Sequence, residues 1–177
     1  MQAALEAGGA SYISADAGSS AEQQLTDVEN LISQGADVLI VLAQDGQVGG
    51  VKVGFIGMTL EGTPTLVDPA GVASVEFRDE VETANKQARE LRKKGVNSIV
   101  VLLHEGGLQS GTYQQCVGIS DPIATIAKTM TADVDAIVTG HTHQPYTCSI
   151  PDPRGKPRLV TSAASYGQVV SETNLVI

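Results

Sequence analysis

Short runs of aliphatic residues alternate along the chain with longer segments in which apolar residues recur every three or four positions. An apolar run bounded by turn residues is typical of a buried strand, and the longer spacing is typical of an amphipathic helix. The clearest helix is predicted over 77–95, where acids fill the first turns and basic residues fill the last turn before Gly95. Its apolar stripe consists of Val81, Ala84, Ala88 and Leu91. A second helix is predicted over 119–130.

The apolar runs beyond residue 47 predict a series of strands. They cover 49–59, 98–107 and 134–143, and three shorter candidates follow at 146–150, 157–166 and 167–177. The alternation of strands with helices favours an α/β fold, a layered and mostly parallel sheet flanked by helices. The closely spaced last strands favour an antiparallel C-terminal extension. We expect one α/β domain over 1–177, which suits a chain of 177 residues.

The first 47 residues differ in composition from the remainder. They predict a strand over 11–16, a helix over 19–35 and a strand over 36–46. This segment contains seven acidic residues and no Lys or Arg, whereas all 11 basic residues lie in 48–177. Such a sharp change suggests that 1–47 and 48–177 are segments of different origin.

The charge of the whole chain excludes some classes of partner. A net charge of −9 argues against nucleic-acid binding, which needs a basic surface, and against binding to an anionic membrane. No apolar run has the roughly 18 residues of a membrane span. No signal peptide is recognised in this chain, so the localisation stays open.

Histidines mark the ends of two predicted strands. The chain has three: His104 ends the run "SIVVLLH", and His141 and His143 follow the run "VDAIV" in the sequence "GHTH". In open α/β sheets, ligand sites form beyond the carboxyl ends of the strands. Neutral imidazole is a good ligand for Zn, Mn or Ni. We therefore predict a metal site formed by His104, His141 and His143. Glu105 is predicted to support this site as a nearby carboxylate. Asp135 is predicted to be a solvated residue at the start of its strand.

The chain contains two cysteines, Cys116 and Cys148, which could form a disulfide. They are either a reduced, packed pair or a single disulfide, and the disulfide is favoured if the protein is exported.

Four stretches carry a resemblance to a known family. "VKVGFIGMTLEGTP", "SIVVLLHEGG", "DVDAIVTGHTHQPYTC" and "RLVTSAASYG" look like the second half of the catalytic domain of calcineurin-like metallophosphoesterases, in particular the 5'-nucleotidase and UDP-sugar hydrolase branch. The resemblance covers about 48–177. In that family two metal ions bound between two sheets promote in-line attack on a phosphate ester. It implies that His104 and His141 bind one metal and His143 the other.

Other motifs of that family are absent. The Asp-x-His, Gly-Asp-x-x-Asp and Gly-Asn-His motifs, which supply its remaining ligands and a catalytic histidine, do not occur in this sequence, so no catalytic residue is assigned. Instead, about 1–47 resembles part of a lobe of periplasmic sugar-binding proteins of the ribose and xylose type. That resemblance implies that Asp16 and Asp45 face a ligand at strand ends.

The two resemblances together suggest an engineered chimera joined near 46–50. On this interpretation the protein has no efficient activity and keeps a vestigial histidine site that binds a divalent metal weakly. One alternative is a metal-dependent phosphoesterase that recruits Asp16 and Asp45, and another is a sugar-binding module. Exposed sheet edges are expected to favour self-association. The parents of such a chimera would be secreted or periplasmic proteins.

Overall fold

The chain divides into two compact units, Met1–Val51 and Lys52–Ile177. A computed structural model describes residues 51–173, the strand Gln47–Val48 (β1) and six separate residues between positions 23 and 34. In the first unit, the described positions from Gln23 to Ser33 are helical, in agreement with the helix predicted over 19–35. The strands predicted over 11–16 and 36–46, with Asp16 and Asp45, lie outside the described residues. A single domain over 1–177 stays a prediction.

A mixed sheet of five strands is the centre of the second unit. The strands are Val51–Thr59 (β2), Ser98–His104 (β3), Ala136–Thr139 (β4), Pro145–Pro151 (β5) and Pro157–Ala163 (β6). Their spatial order is β2-β3-β4-β6-β5. The pairs β2/β3, β3/β4 and β4/β6 are parallel, whereas β5 and β6 form an antiparallel pair. The predicted α/β class, with its mostly parallel sheet and antiparallel extension, is therefore confirmed.

Three helices accompany this sheet. They are Pro69–Val72 (α1), Glu80–Lys93 (α2) and Ile123–Thr129 (α3), with a single 3-10 turn at Thr63–Thr65. Helix α1 begins at Pro69 because Asp68 accepts a hydrogen bond from the Ala70 amide (3.0 Å) and proline is tolerated at the first helical position. Among the described residues, no helix combines the length and the hydrophobicity needed to cross a membrane.

The main hydrophobic core lies between one face of the sheet and helices α2 and α3. Ala84 and Ala88 of α2 are fully buried, and they share this core with Ile99 and Val101 of β3. Small side chains on the buried face of a helix allow close packing against the aliphatic residues of a strand. The stripe predicted from helical spacing therefore supplies the core contacts of α2.

The last predicted strand, over 167–177, is wrong for the residues that the structure describes there. After β6, Ala164, Tyr166 and Gly167 adopt positive φ angles of 62°, 59° and 65°. These conformations end the extended backbone that a strand requires. Residues 167–173 form no strand, and Val170 is 91% exposed.

Candidate metal centre

Two histidines meet at the carboxyl edge of the sheet. His104 is the last residue of β3, and His141 follows the end of β4 by two residues. The parallel register pairs Leu103 with Thr139, so both strands end at the same level. The imidazole rings contact each other in a T-shaped arrangement, with ring centroids 5.4 Å apart and an interplanar angle of 68°. Both side chains are exposed. The tertiary structure therefore presents two imidazoles to solvent at one point.

His143 makes a different aromatic contact. Its ring packs edge-to-face against the ring of Tyr166, with centroids 5.3 Å apart. Within the part of the chain that the structure describes, the three histidines do not form a set of three ligand atoms within 4.8 Å of one another. The arrangement is thus a pair of histidines and a third that contacts a different loop.

The backbone at this edge is strained. His141 and His143 have φ angles of 67° and 59°, and Ala164 and Tyr166, in the loop after β6, also have positive φ. The one further described residue of this kind, glycines aside, is Cys116. Each such conformation costs on the order of 1 kcal/mol or more and persists only where the surrounding structure imposes it. Four of the five strained residues therefore lie in two loops that follow neighbouring parallel strands.

Hydrogen bonds hold the loops after β3 and β4 together. The Thr142 hydroxyl donates to the Gly107 carbonyl (2.9 Å), and the Gln109 amide donates to Gln144 Oε1 (3.0 Å). Gly106 permits this approach, because a Cβ at that position would lie 2.8 Å from Thr142 Oγ1 and closer still to the Gly140 carbonyl oxygen. The two loops that follow the histidine-bearing strands are therefore fixed to each other.

A disulfide connects the loop after β3 to strand β5. Cys116, in that loop, is bonded to Cys148 of β5, whose side chain is buried. The Thr147 amide also donates to the Tyr113 carbonyl (2.6 Å), so the loop covers part of the edge of β5. Of the two alternatives that the sequence leaves open for these cysteines, the structure contains the disulfide. Self-association through sheet edges stays a prediction.

The two carboxylates near the histidines in sequence have backbone partners. Glu105 Oε1 accepts a hydrogen bond from the Gly106 amide (2.8 Å). Asp135 is exposed, but its Oδ2 accepts from the Ile99 amide (2.8 Å) and its own amide donates to the Ile99 carbonyl (2.8 Å). Asp135 therefore joins β3 to the start of β4, a role that its interpretation as a solvated residue missed. No described contact ties Glu105 to a histidine, so its supporting role stays a prediction.

A second group of possible metal ligands lies near the start of α2. Carboxylate oxygens of Glu61, Asp79 and Glu80 lie within 4.8 Å of one another. Two of them are already engaged, since Glu80 Oε1 accepts from the Glu61 amide (2.6 Å) and Asp79 Oδ1 accepts from the Glu82 amide (2.6 Å). Acidic residues at a helix start are stabilised by the exposed amides and the helix dipole. Capping therefore accounts for this cluster, which sequence reasoning recognised only as acids in the first turns of the helix.

The centroid spacing of the paired imidazoles is compatible with a shared divalent metal ion. In a tetrahedral site each histidine nitrogen lies about 2.0–2.1 Å from the ion, which places two imidazole centroids roughly 5 Å apart. The His104–His141 centroid distance of 5.4 Å agrees with that spacing. Neutral imidazole suits Zn, Mn and Ni. His143 offers a further nitrogen donor on the same loop as His141.

Comparison with known proteins finds that the chain is similar to 5'-nucleotidases and calcineurin-like phosphoesterases. No family model matches the chain. Among curated relatives, Endonuclease YhcR of Bacillus subtilis is 34% identical over 130 residues, which are 73% of this chain and 10% of that protein. Snake venom 5'-nucleotidase of Naja atra is 39% identical over 54% of this chain and 15% of its own length. The chain thus spans only a small part of these relatives.

Solved structures show the same likeness. The 5'-nucleotidase precursor from Thermus thermophilus matches with a TM-score of 0.56 and 29% identity, over 93% of this chain and 30% of that one. Calcineurin-like phosphoesterase YfkN from Bacillus subtilis matches with a TM-score of 0.51 and 26% identity, over 67% of this chain and 37% of its own.

These matches overturn the interpretation of the chain as an engineered chimera. A likeness to one 5'-nucleotidase over 93% of the chain extends well beyond 48–177. Nothing in the comparisons supports a sugar-binding lobe over 1–47. The composition change at residue 47 misled the sequence interpretation, because a local excess of acidic residues has no necessary relation to the origin of a segment. The chain is similar to phosphoesterases over most of its length, and its interpretation as a designed scaffold is wrong.

Proposed function

We propose that this chain carries part of the metal centre of a metal-dependent phosphoesterase of the 5'-nucleotidase type. The observation that carries the proposal is the contact of His104 with His141 at the carboxyl ends of neighbouring parallel strands. The 5'-nucleotidases and phosphoesterases among the relatives and structural neighbours support it. A sugar-binding role has no comparable support.

The histidines divide between two ions in this proposal. His104 and His141 hold one divalent ion, since their rings are 5.4 Å apart, and His143 serves a second, since it lies against Tyr166 instead. Bound divalent ions supply Lewis-acid stabilisation of a phosphate ester and of the oxygen that attacks it. The positive φ angles of His141 and His143 direct the two side chains of one short loop to different places. Mn²⁺ and Zn²⁺ are the ions that we expect the site to take.

We propose a phosphate monoester as the substrate. The name 5'-nucleotidase belongs to several relatives, whereas one relative is an endonuclease, which cleaves nucleic acid. The net charge of −9 disfavours a nucleic-acid substrate, because polyanion binding depends on Lys and Arg. A nucleoside monophosphate presents far fewer phosphates and tolerates that charge.

We also propose that the protein works outside the cytoplasm. The Cys116–Cys148 disulfide supports an oxidising compartment. A cell wall protein of Listeria monocytogenes, 39% identical over 66% of this chain and 15% of its own length, and the 5'-nucleotidase precursor support export as well.

Metal titration by isothermal calorimetry tests the proposal, with Mn²⁺ and Zn²⁺ added to the chelator-treated chain. The informative variant is His141→Asn, because asparagine tolerates positive φ and the loop is kept. We expect its affinity to fall by at least about tenfold, as loss of an inner ligand requires. Glu61→Gln is the matched control, since it alters the acidic cluster and leaves the histidines intact.

Two results would contradict the assignment. If the unaltered chain bound no metal ion, it would have no metal centre. If Glu61→Gln lost binding while His141→Asn kept it, the metal ion would bind at the acidic cluster near the start of α2. Phosphate release from AMP, compared with cleavage of bis(p-nitrophenyl) phosphate, then distinguishes a monoesterase from a diesterase. We expect any hydrolysis by the metal-loaded chain to favour AMP and to disappear in His141→Asn.

A further inference from the structure

Tyr166 is 84% exposed, yet its ring contacts another side chain of the candidate site. It packs edge-to-face against the imidazole of His143, with centroids 5.3 Å apart and an interplanar angle of 68°. Edge-to-face pairs with centroids in this range are the favoured geometry of aromatic contacts. The contact joins the loop after β6 to the loop after β4, and these two strands are parallel neighbours.

The backbone on both sides of this contact is strained. His143 and Tyr166 both have φ of 59°, and Ala164 and Gly167 flank Tyr166 with φ of 62° and 65°. Residues with a Cβ adopt this conformation rarely, and where they do the surrounding structure imposes it. The turn that presents Tyr166 is therefore built in a specific conformation, although the side chain contributes little to the core.

We propose that Tyr166 is a positioning residue for His143, an inference that rests on the proposed metal-dependent function. The χ2 torsion of histidine is broad, so an exposed imidazole samples many orientations. Packing against the Tyr166 ring limits those orientations and fixes the nitrogen that His143 presents to a divalent cation. Tyr166 acts through His143 and is not a catalytic residue.

The proposal predicts a selective effect. His104 and His141 contact each other, and no described contact joins Tyr166 to either of them. Loss of the Tyr166 ring therefore weakens the cation site that contains His143 and leaves the His104–His141 site unchanged. Outer contacts that orient a metal-binding histidine change affinity by about 10–100-fold.

The first test is calorimetric titration of the full chain with Mn²⁺ for Tyr166→Phe, Tyr166→Ala and Tyr166→Asn. Phe keeps the ring, Ala removes it, and Asn removes it while tolerating positive φ, so that loss of the contact is separated from loss of the turn. We expect Phe to bind as the unaltered chain does, and Ala and Asn to weaken one of two sites by about tenfold. Tyr113→Ala is the control, because Tyr113 is an exposed tyrosine in a different loop. Equal binding by all variants would overturn the positioning role while the proposed function stands.

The second test needs no metal. NMR spectra of ¹³C,¹⁵N-histidine protein should show the His143 ring signals shifted in Tyr166→Ala and unchanged in Tyr113→Ala, with the His104 and His141 signals unaffected, because an aromatic ring shifts the protons beside it. If the unaltered chain bound no Mn²⁺, the proposed function would fail and this spectrum would decide on the contact. An unshifted His143 signal would overturn the positioning role in either case.

Discussion

The Tyr146 hydroxyl oxygen lies 2.5 Å from Thr139 Oγ1, and the two form a buried hydrogen bond. Thr139 precedes His141 by two residues. Thr139 also donates to the Thr161 carbonyl (3.0 Å), so its single proton is used and Tyr146 must be the donor to Thr139. A backbone hydrogen bond from Gly107 reaches the Tyr146 oxygen. Burial raises the pKa of Tyr146 above its ordinary value of 10.0, so the hydroxyl keeps its proton at neutral pH. This chain of donors connects β4, β5, β6 and the loop after β3.

Tyr146→Phe should therefore lower the free energy of unfolding by about 1–3 kcal/mol, because it leaves the Gly107 amide without a buried partner and removes one of the two hydrogen bonds of Thr139. Urea unfolding followed by circular dichroism measures the change. Tyr113→Phe removes the same atom from a tyrosine that is 55% exposed, and we expect it to change stability by less than about 0.5 kcal/mol. Equal effects of the two substitutions would show that the buried hydroxyl chain contributes nothing.

Gly106→Ala should separate the two loops that follow the histidine-bearing strands. Its Cβ would meet the Gly140 carbonyl oxygen and Thr142 Oγ1, and the backbone must move to relieve the clash. We expect a loss of stability of roughly 1–3 kcal/mol and weaker Mn²⁺ binding in calorimetry. Gly57→Ala is the control, because no atom lies within 4 Å of a Cβ built there. If Gly106→Ala bound Mn²⁺ as the unaltered chain does, the contact between the two loops would not be needed for the cation site.

Arg158 is 2% exposed and should be among the least replaceable residues of the sheet. Its guanidinium donates to four carbonyls around the end of α3, those of Ala127, Met130, Thr131 and Val134. Burial lowers the pKa of Arg158 below its ordinary value, but an arginine side chain stays charged at neutral pH. Arg158→Met should cost about 3 kcal/mol or more, since it abandons several charge-assisted hydrogen bonds.

Chemical denaturation measures that cost, and Arg158→Lys should recover only part of it, because an ammonium group does not reproduce the planar fork. Arg154→Met is the control, as the Arg154 side chain is 66% exposed and lies 3.9 Å from Asp133. A change below about 0.5 kcal/mol is expected for such an exposed pair. If Arg158→Met were equally mild, the buried carbonyl contacts would have no net value.

Removal of the disulfide should destabilise the second unit. The two cysteines are 32 residues apart, and a cross-link over a loop of this length stabilises by roughly 3–4 kcal/mol on the chain-entropy account. Urea unfolding with and without a reducing agent measures the loss. The double variant Cys116→Ser/Cys148→Ala provides the control, since a reducing agent should have no effect on it. An effect of reductant on that variant would place the sensitivity elsewhere.

Asp121 should make stability depend on pH in the acidic range. Hydrogen bonds from the Thr125 hydroxyl and then its amide lower the pKa of Asp121 from the ordinary value of 3.8. A depressed pKa means that the contribution is fully present above pH 3.8 and is lost as the pH falls through the lower, folded-state value. Asp121→Asn keeps an acceptor but does not titrate. When the pH falls through 3.8, the urea midpoint of Asp121→Asn should therefore decrease less than that of the unaltered protein. If the two midpoints changed in parallel with pH, Asp121 would not be the source of the pH dependence.

Local patterns in the sequence were sufficient for most of the second unit. The stripe on α2 and the apolar runs of β2, β3 and β4 are periodic features that any packed sheet must bury. The strand predicted over 167–177 failed because the turn at Ala164 and Tyr166 gives no local signal beyond Gly167. Arg158 was missed for a related reason, since an arginine in a strand is expected to be exposed unless its partners are known.

By itself, the sequence determined which residues carry the candidate chemistry and that His104 and His141 lie at the ends of two apolar strands, because hydrophobic periodicity and strand ends are local properties. Only the tertiary structure decided that these two strands are neighbours. Only the tertiary structure decided that these two imidazoles meet while His143 lies against Tyr166. The reason is physical. The positive φ angles of His141 and His143 override the alternation of an extended strand, and loops that follow different strands fix them through hydrogen bonds that no local pattern encodes.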